Sequence, residues 1–560
     1  MSEISNDVPR MVICMVSDFL YPNVGGVEEH IFQLSQCLLQ RGHKVVAVTH
    51  VYKDRRGIRY MTNGLKVYYL PIQPFYNQSV LPTFLTSVPL LRDVLLREGV
   101  DVVHGHSAFS TMAHEAMSVA SALGIKTVFT DHSLFGFADV SAIVTNNFLT
   151  MSLACVDRCI CVSYVGKENT VLRASVPPQR VSVIPNALDT NAFHPRPYTG
   201  PRDRVVVVVM CRLQYRKGVD LQPPIIRHIC ARYPNVDFVI GGGGPKMGLL
   251  SEVRDEVGPE RVTLLGPVAH ADVPQVLARG HVFLNTSLTE AFCIAICEAV
   301  AAGLQVVSTD VGGITEVLPP SLICLAQPNV KSLCNALEGA IEREMAGTRM
   351  SPEEQHRLMR GLYSWPDVAL RTERVYCSAM WDEQQPRPLL RNRINRYMEQ
   401  GGLLAGGFMV LLVTLQALIL ALCDIFRPSN NIDKAPDFPV PATLSSKLVK
   451  TNASSRAIPP PTNEKRQAMK DNFRGVQCNA DISNSGHEFE IIVNSRAKKF
   501  IGEKSHDSQA LSRAVRLLDN ANLCKKSVNT NASLKTDRKA LDNEHKFKYN
   551  LRRRKNDCDY

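Results

Sequence analysis

The chain has 560 residues, an apolar share of 45% and a net charge of +11. That length predicts three or four units rather than one, and the ordinary apolar share excludes a protein of many membrane spans. From Asp424 onward 26 Lys and Arg face 16 Asp and Glu. Nearly all the surplus therefore sits in the tail, the body is about neutral, and nucleic-acid binding is not expected.

Met1 to Arg10 is short and carries Glu3 and Asp7, which does not read as a signal peptide. Short apolar runs then recur at Met11–Val16, Lys44–Thr49, Lys66–Leu70, Val100–His104, Lys126–Thr130, Arg158–Ser163 and Val181–Ile184. Between them lie helical periods, as in His30–Arg41, where Ile31, Leu34 and Leu38 fall on one face. Alternation of this kind predicts a parallel sheet covered by helices. Pro185, Pro195, Pro197, Gly200 and Pro201 mark a linker. The pattern restarts at Val205–Met210, Val236–Ile240, Val262–Leu265, Val282–Leu284 and Val306–Ser308. The expected organisation is a first doubly wound half over residues 1–195 and a second over 196–383. The C-terminal ends of their strands should face a shared cleft.

A basic stretch, 384–402, is expected to link the body to a transmembrane helix over 403–423. Those 21 residues, Leu403 to Cys423, carry no charge and one strongly polar group, Gln416. About 20 residues at 1.5 Å each span the hydrocarbon core. Arg387, Arg391, Arg393 and Arg396 precede the span, whereas only Arg427 and Lys434 follow it closely. The body is therefore expected on the cytosolic side and the tail in a lumen. Residues 424–560 are rich in Asn, Ser and Lys and are expected to be mostly disordered. They hold sequons at Asn452 and Asn531. Of the sixteen Cys, those at 14, 159, 161, 211, 293 and 297 lie in apolar stretches, and no CxxC pair occurs. Buried free thiols are expected rather than zinc ligands, which suits a reducing compartment.

Chemistry-bearing residues cluster after strands. Glu290 and Glu298 are the ends of an E-x7-E pair, the first in a loop and the second in the following helix. Eight helical steps separate them by about 12 Å, too far for a paired-carboxylate hydrolase, whose groups lie at most about 9.5 Å apart. The spacing suits two ends of one long ligand, a sugar at Glu290 and a ribose at Glu298, with backbone N–H groups of Phe292, Cys293 and Ile294 free for a phosphate. Arg212 and Lys217 follow the first strand of the second half, where cations would neutralise a diphosphate. Gly242 and Gly244, in a run of four glycines, allow close backbone approach. Gly25 and Gly26 do the same after the first strand, and the absence of GxGxxG disfavours a nicotinamide dinucleotide. His132 is placed at the cleft, and His104 and His106 are expected to be structural or rim residues. No metal site is expected, because the only Asp-x-Asp is Asp557-Cys558-Asp559 in the tail.

The R-L-x4-K-G run at Arg212–Gly218, the glycine-rich turn and E-x7-E together resemble family 4 retaining glycosyltransferases. Phe129–Asp139, Cys161–Tyr164, Lys167–Ala174 and Asn285–Cys293 resemble more closely the phosphatidylinositol N-acetylglucosaminyltransferase catalytic subunits, which start glycosylphosphatidylinositol (GPI) anchor synthesis. The resemblance covers about Met11 to Tyr376. It implies the α/β GT-B fold, with two Rossmann-like domains facing a cleft. It implies transfer of N-acetylglucosamine from UDP-N-acetylglucosamine to phosphatidylinositol; no cofactor is expected, and metal independence is expected from the missing Asp-x-Asp near the cleft and the presence of Arg212 and Lys217. The expected place is the cytosolic face of the endoplasmic reticulum membrane, in a complex with other membrane subunits. By the same resemblance Arg212 and Lys217 hold the diphosphate, Glu298 the ribose and Glu290 the donor sugar. His132 lies beside the reacting sugar, and Gly25 and Gly26 line the phosphate side. Three features depart from the pattern: Gly243 stands where such turns often have an acidic residue, Pro223-Pro224 crowds the next helix start, and the tail is long. The alternatives are a sibling enzyme with another donor and a lipid-linked acceptor, or a non-catalytic scaffold subunit.

Overall fold

The computed structural model describes residues 8–23, 25–83, 85–134, 140–200, 203–381 and 390–437, with the backbone alone for 140–144. Phe135–Asp139, Arg387, the sequons and the tail beyond 437 lie outside the described residues.

The first half is an eight-stranded sheet. Its strands are β1 (Val12–Val16), β2 (Lys44–His50), β3 (Gly57–Tyr60), β4 (Lys66–Leu70), β7 (Val102–His106), β8 (Lys126–Asp131), β9 (Arg158–Cys161) and β10 (Val181–Val183), and β5 (Pro74–Tyr76) pairs with β6 (Ser79–Val80) in a separate hairpin. The order across the sheet is β10-β9-β8-β7-β1-β2-β4-β3, and every pairing is parallel except β3 with β4. The second half is a six-stranded parallel sheet of β11 (Val205–Met210), β12 (Val236–Gly241), β13 (Val262–Gly266), β14 (Val282–Asn285), β15 (Gln305–Thr309) and β16 (Cys324–Ala326), ordered β13-β12-β11-β14-β15-β16. Each order reverses beside the half's first strand, which opens a crevice at the strand C-termini. The residues explain the elements. Strand β11 is five valines and a methionine, buried but for the last, as a strand covered on both faces must be. The helix Gly26–Gln40 turns Ile31, Leu34 and Leu38 inward, each fully buried.

The chain is irregular over 184–200 and again at Asp203 and Arg204. The last helix of the second stretch, Trp365–Met380, leaves its own sheet and packs on the first. Trp365, Val368, Val375 and Tyr376 share a core with Ile13, Leu34 and Val128. Glu373, nearly buried, accepts hydrogen bonds from Arg41 Nε at 2.9 Å and faces His43 Nε2 at 2.6 Å. Burial opposes the charge on Glu373, but His43 and Arg41 outweigh it and hold the carboxyl below its ordinary value.

The described cysteines are free, and those at 14, 159, 161 and 297 are buried, while 211 and 293 are half-buried. The basic stretch before the apolar segment is helical from Leu390 to Gly401, and a π-helical turn at Gly402–Gly406 joins it to the helix Gly407–Phe426. Among the described residues this 37-residue run is the one long and apolar enough to cross a membrane. One face of it rests on the first half. Val413, Gln416 and Leu420 are buried, and Gln416 Oε1 accepts from Ser118 Oγ and Arg393 Nη2, each at 3.1 Å. Phe408, Leu411, Leu418 and Ile425 are exposed. Beyond the helix, Lys434 Nζ donates to Leu96 O at 2.7 Å and Asp437 pairs with Arg10 at 2.8 Å, so the chain returns to the first half.

Candidate functional site

Two loops of the second half build the centre of the site. After β11, the chain runs through Arg212 into a 3-10 turn, Tyr215–Lys217, and ends it at Gly218 with φ +63°. A Cβ there would stand 1.8 Å from Thr286 O. Only glycine fits, for both reasons. Thr286 fastens the contact by donating from Oγ1 to Lys217 O at 2.9 Å. The loop after β14 then presents Glu290. Its carboxylate pairs with the Lys217 ammonium and accepts from Ser287 Oγ at 2.9 Å. Burial alone would lower the Lys217 pKa, and the nearby Glu290 carboxylate more than offsets it, leaving the ammonium above its usual value. Pro223 and Pro224 lie in the first turn of the helix Gln222–Arg232, where a missing N–H costs little, and a 3-10 turn at Val219–Leu221 fills the approach.

The glycine run serves this loop. A Cβ on Gly242 would stand 1.8 Å from Cys211 O, and one on Gly244 2.5 Å from Leu213 O. The close approach that these glycines permit is to the chain's own Cys211–Leu213 backbone, and Leu213 N donates to Gly243 O at 2.9 Å.

The helix Ile294–Ala301 starts at Cys293, whose φ of +68° is left-handed, and no side chain caps it. Phe292 is buried with its ring edge-on to Tyr363 at 5.4 Å, so its side chain belongs to the core and only its backbone is available to a ligand. Glu298 is nearly buried, and its Oε1 lies 2.9 Å from His270 Nε2. That hydrogen bond raises the His270 pKa against the effect of burial.

The first half supplies Gly25 and Gly26 at the start of the helix Gly26–Gln40. A Cβ on Gly25 would lie 2.4 Å from Glu28 Oε2 and 2.9 Å from Arg212 Nη2, whereas one on Gly26 meets open space. Arg212 thus reaches across from the second half to the Gly25 turn. His132 follows β8, with Nε2 3.3 Å from His106 Nδ1 and its ring 4.7 Å from that of His30. His104 is satisfied by Tyr376 at 2.8 Å and Thr130 at 2.7 Å and is structural. The structure therefore joins Arg212 to Gly25 and Lys217 to Glu290, and sets His132 among other histidines.

Sequence reasoning passed over several neighbours. Gly312 and Gly313 lie under the Glu290 loop: their Cβ atoms would stand 2.4 Å from Glu290 O and 2.0 Å from Ala291 O. The repeated glycine after β15 was their signal. Glu316 accepts from Tyr164 N at 2.7 Å and Val165 N at 2.8 Å, capping a first-half helix from the second half. His270 carried no signal beyond its type.

Likeness to known proteins decides the family. A family model described as PIGA (GPI anchor biosynthesis) matches residues 50–139, and one described as glycosyl transferases group 1 matches 204–343. The chain is 53% identical over 426 residues to a phosphatidylinositol N-acetylglucosaminyltransferase subunit of Homo sapiens, a match covering 76% of this chain and 87% of that protein. It is 49% identical to the subunit of the same name from Arabidopsis thaliana, over 77% of this chain and 95% of that one. The chain belongs to the PIGA family of phosphatidylinositol N-acetylglucosaminyltransferase subunits. Among solved structures it is similar to a sucrose-phosphate synthase from Thermosynechococcus elongatus (TM-score 0.54, 20% identity, 66% of this chain and 99% of that one). It is also similar to Anabaena HepE in complex with UDP and glucose (TM-score 0.52, 18% identity, 66% and 100%). The fold is GT-B, and the chain is a glycosyltransferase.

Gly218→Ala tests the loop. A left-handed φ costs a non-glycine residue about 1–2 kcal/mol, and the Thr286 carbonyl must also move. The variant is expected to lose most transfer activity while the rest of the chain still folds, measured as activity against the melting temperature of the solubilised protein. Wild-type activity would show that the Lys217 loop tolerates displacement.

Proposed function

We propose that the chain transfers N-acetylglucosamine from UDP-N-acetylglucosamine to phosphatidylinositol with retention, as the catalytic subunit of a membrane complex in the endoplasmic reticulum. The observation that carries the reading is the joined pair of loops, with Lys217 on Glu290 and Arg212 against the Gly25 turn, in a chain that shares 53% identity with a human protein named for that transfer. The bond from the sugar's anomeric carbon to the diphosphate oxygen breaks, and its electron pair leaves with UDP. A bond from an inositol oxygen to the same carbon forms on the same face, and the hydroxyl proton goes to the departing phosphate oxygen. Lys217 and Arg212 offset the charge that develops on that oxygen. Glu290 meets the sugar, Glu298 the ribose, and backbone N–H groups at Phe292–Ile294 a phosphate. Membranes holding the intact complex should convert labelled UDP-N-acetylglucosamine into a labelled inositol lipid, and GDP-mannose should give none. The reaction should proceed in chelator, because the cations at the diphosphate are side chains. Complete loss in chelator, restored by magnesium or manganese, overturns metal independence.

The roles separate in kinetics. Lys217 acts most in the transition state, so Lys217→Ala should lower kcat by roughly 10²-fold or more. A ribose contact changes little during transfer, so Glu298→Gln should chiefly raise the donor KM. Glu290→Gln should affect both, because the sugar ring flattens and gains positive charge as the bond breaks. Near-normal kcat in Lys217→Ala with loss of activity in Glu298→Gln overturns this assignment.

The body is proposed as cytosolic and the tail as luminal, on the flanking arginines. A second reading, that both flanks of the apolar helix stay on one side, is favoured by the contacts of Lys434 and Asp437 with the first half. Protease added to sealed microsomes digests the body and spares the tail under the first reading, and digests both under the second.

A further inference from the structure

A cluster of imidazoles lies in the first half. His30 comes from the helix Gly26–Gln40, His106 ends β7 and His132 follows β8; one ring nitrogen from each lies within 4.8 Å of the others. Nδ1 of His106 is 3.3 Å from Nε2 of His132. Two nitrogens bound about 2.0–2.1 Å from one tetrahedral ion stand about 3.3–3.4 Å apart. The ligand atoms of the trio, His30 included, lie within 4.8 Å of one another, so the trio would draw closer on an ion. His30 Nδ1 lies 3.0 Å from Asn186 Oδ1, an outer partner that puts the ring hydrogen on Nδ1 and leaves Nε2 with a free lone pair. His106 is fully buried, so an ion held there by Nδ1 would be shielded from solvent on that side. His132 is half-buried, and a tetrahedral ion held by three histidines takes its fourth ligand from solvent.

We propose that His30, His106 and His132 form a binding site for a zinc-class divalent ion, and that the bound ion stops transfer by occupying His132. The ion site stands on the cluster alone. The inhibitory half rests on the reading that His132 lies beside the reacting sugar.

The test uses the full chain, purified in detergent and stripped with chelator. Added Co2+ should give the visible absorption of a tetrahedral nitrogen site at one ion per chain, and Zn2+ should displace it. His106→Phe should abolish the signal while keeping the ring's volume. Asn186→Ala, the variant that decides if His106→Phe does not fold, should weaken binding about 10–100-fold through the outer partner of His30. In the intact complex Zn2+ should suppress transfer reversibly. Absent cobalt bands, or bands unchanged in both variants, overturn the site. Cobalt bands without zinc inhibition overturn the inhibitory half and the placing of His132 beside the sugar, while leaving the ion site standing.

Discussion

The ion pair between Lys217 and Glu290 is the contact on which the site depends, because each charge is positioned by a different loop and neither loop is fixed without the other. Thr286 and Gly218 bring the loops to backbone contact, and Ser287 holds the carboxylate from below. The ammonium remains 30% exposed on a side chain whose partner is 14% exposed. Such a pair is worth little for stability. Its value is placement: a cation fixed before substrate arrives needs no reorganisation when negative charge develops on a leaving group.

The halves touch through charged and polar groups and through an apolar patch in which Leu134 and Val162 of the first half join Ala291, Phe292 and Ile314 of the second. Arg212 reaches the Gly25 turn, Arg216 Nη2 donates to Leu134 O at 3.2 Å, and Glu316 caps the helix Tyr164–Ala174. These contacts are local and few beside the crossing helix Trp365–Met380, which is fastened by Glu373 and by a hydrophobic core shared with the first sheet.

The long strands were legible because parallel sheets bury both faces and so leave continuous apolar runs, as in β11. Strand β3 was not, since all four of its residues are exposed at an antiparallel edge. Strands β5, β6 and β16 are two or three residues long and give no period. In the site, Arg212, Lys217, Glu290 and Glu298 were found because charge after a buried strand is conspicuous. The roles of the glycines were only half visible. A glycine run shows that something approaches closely, but not whether it is a ligand or, as with Gly242 and Gly244, the chain's own carbonyls. Pairings made between elements distant in the chain, such as His270 with Glu298 or Tyr376 with His104, have no local signature, because their partners are separated by 28 and 272 residues.

Gln416 shows how one residue changes the meaning of an apolar helix. An unpaired amide in hydrocarbon costs several kcal/mol, so a single Gln in such a run must face a partner. Arg393 and Ser118 are that partner, and Arg393 is itself 1% exposed. The arginine that the sequence counts as a flanking charge is therefore folded back against the helix it flanks. Arg92 is equally buried and pairs with Asp424 at the helix's far end. Two polar anchors, eight residues apart on one face, fix the helix's rotation against the first half. The exposed apolar residues, among them Phe408, Leu411 and Leu418, are then turned away from the first half, so the helix keeps one face for the body and leaves the other uncovered.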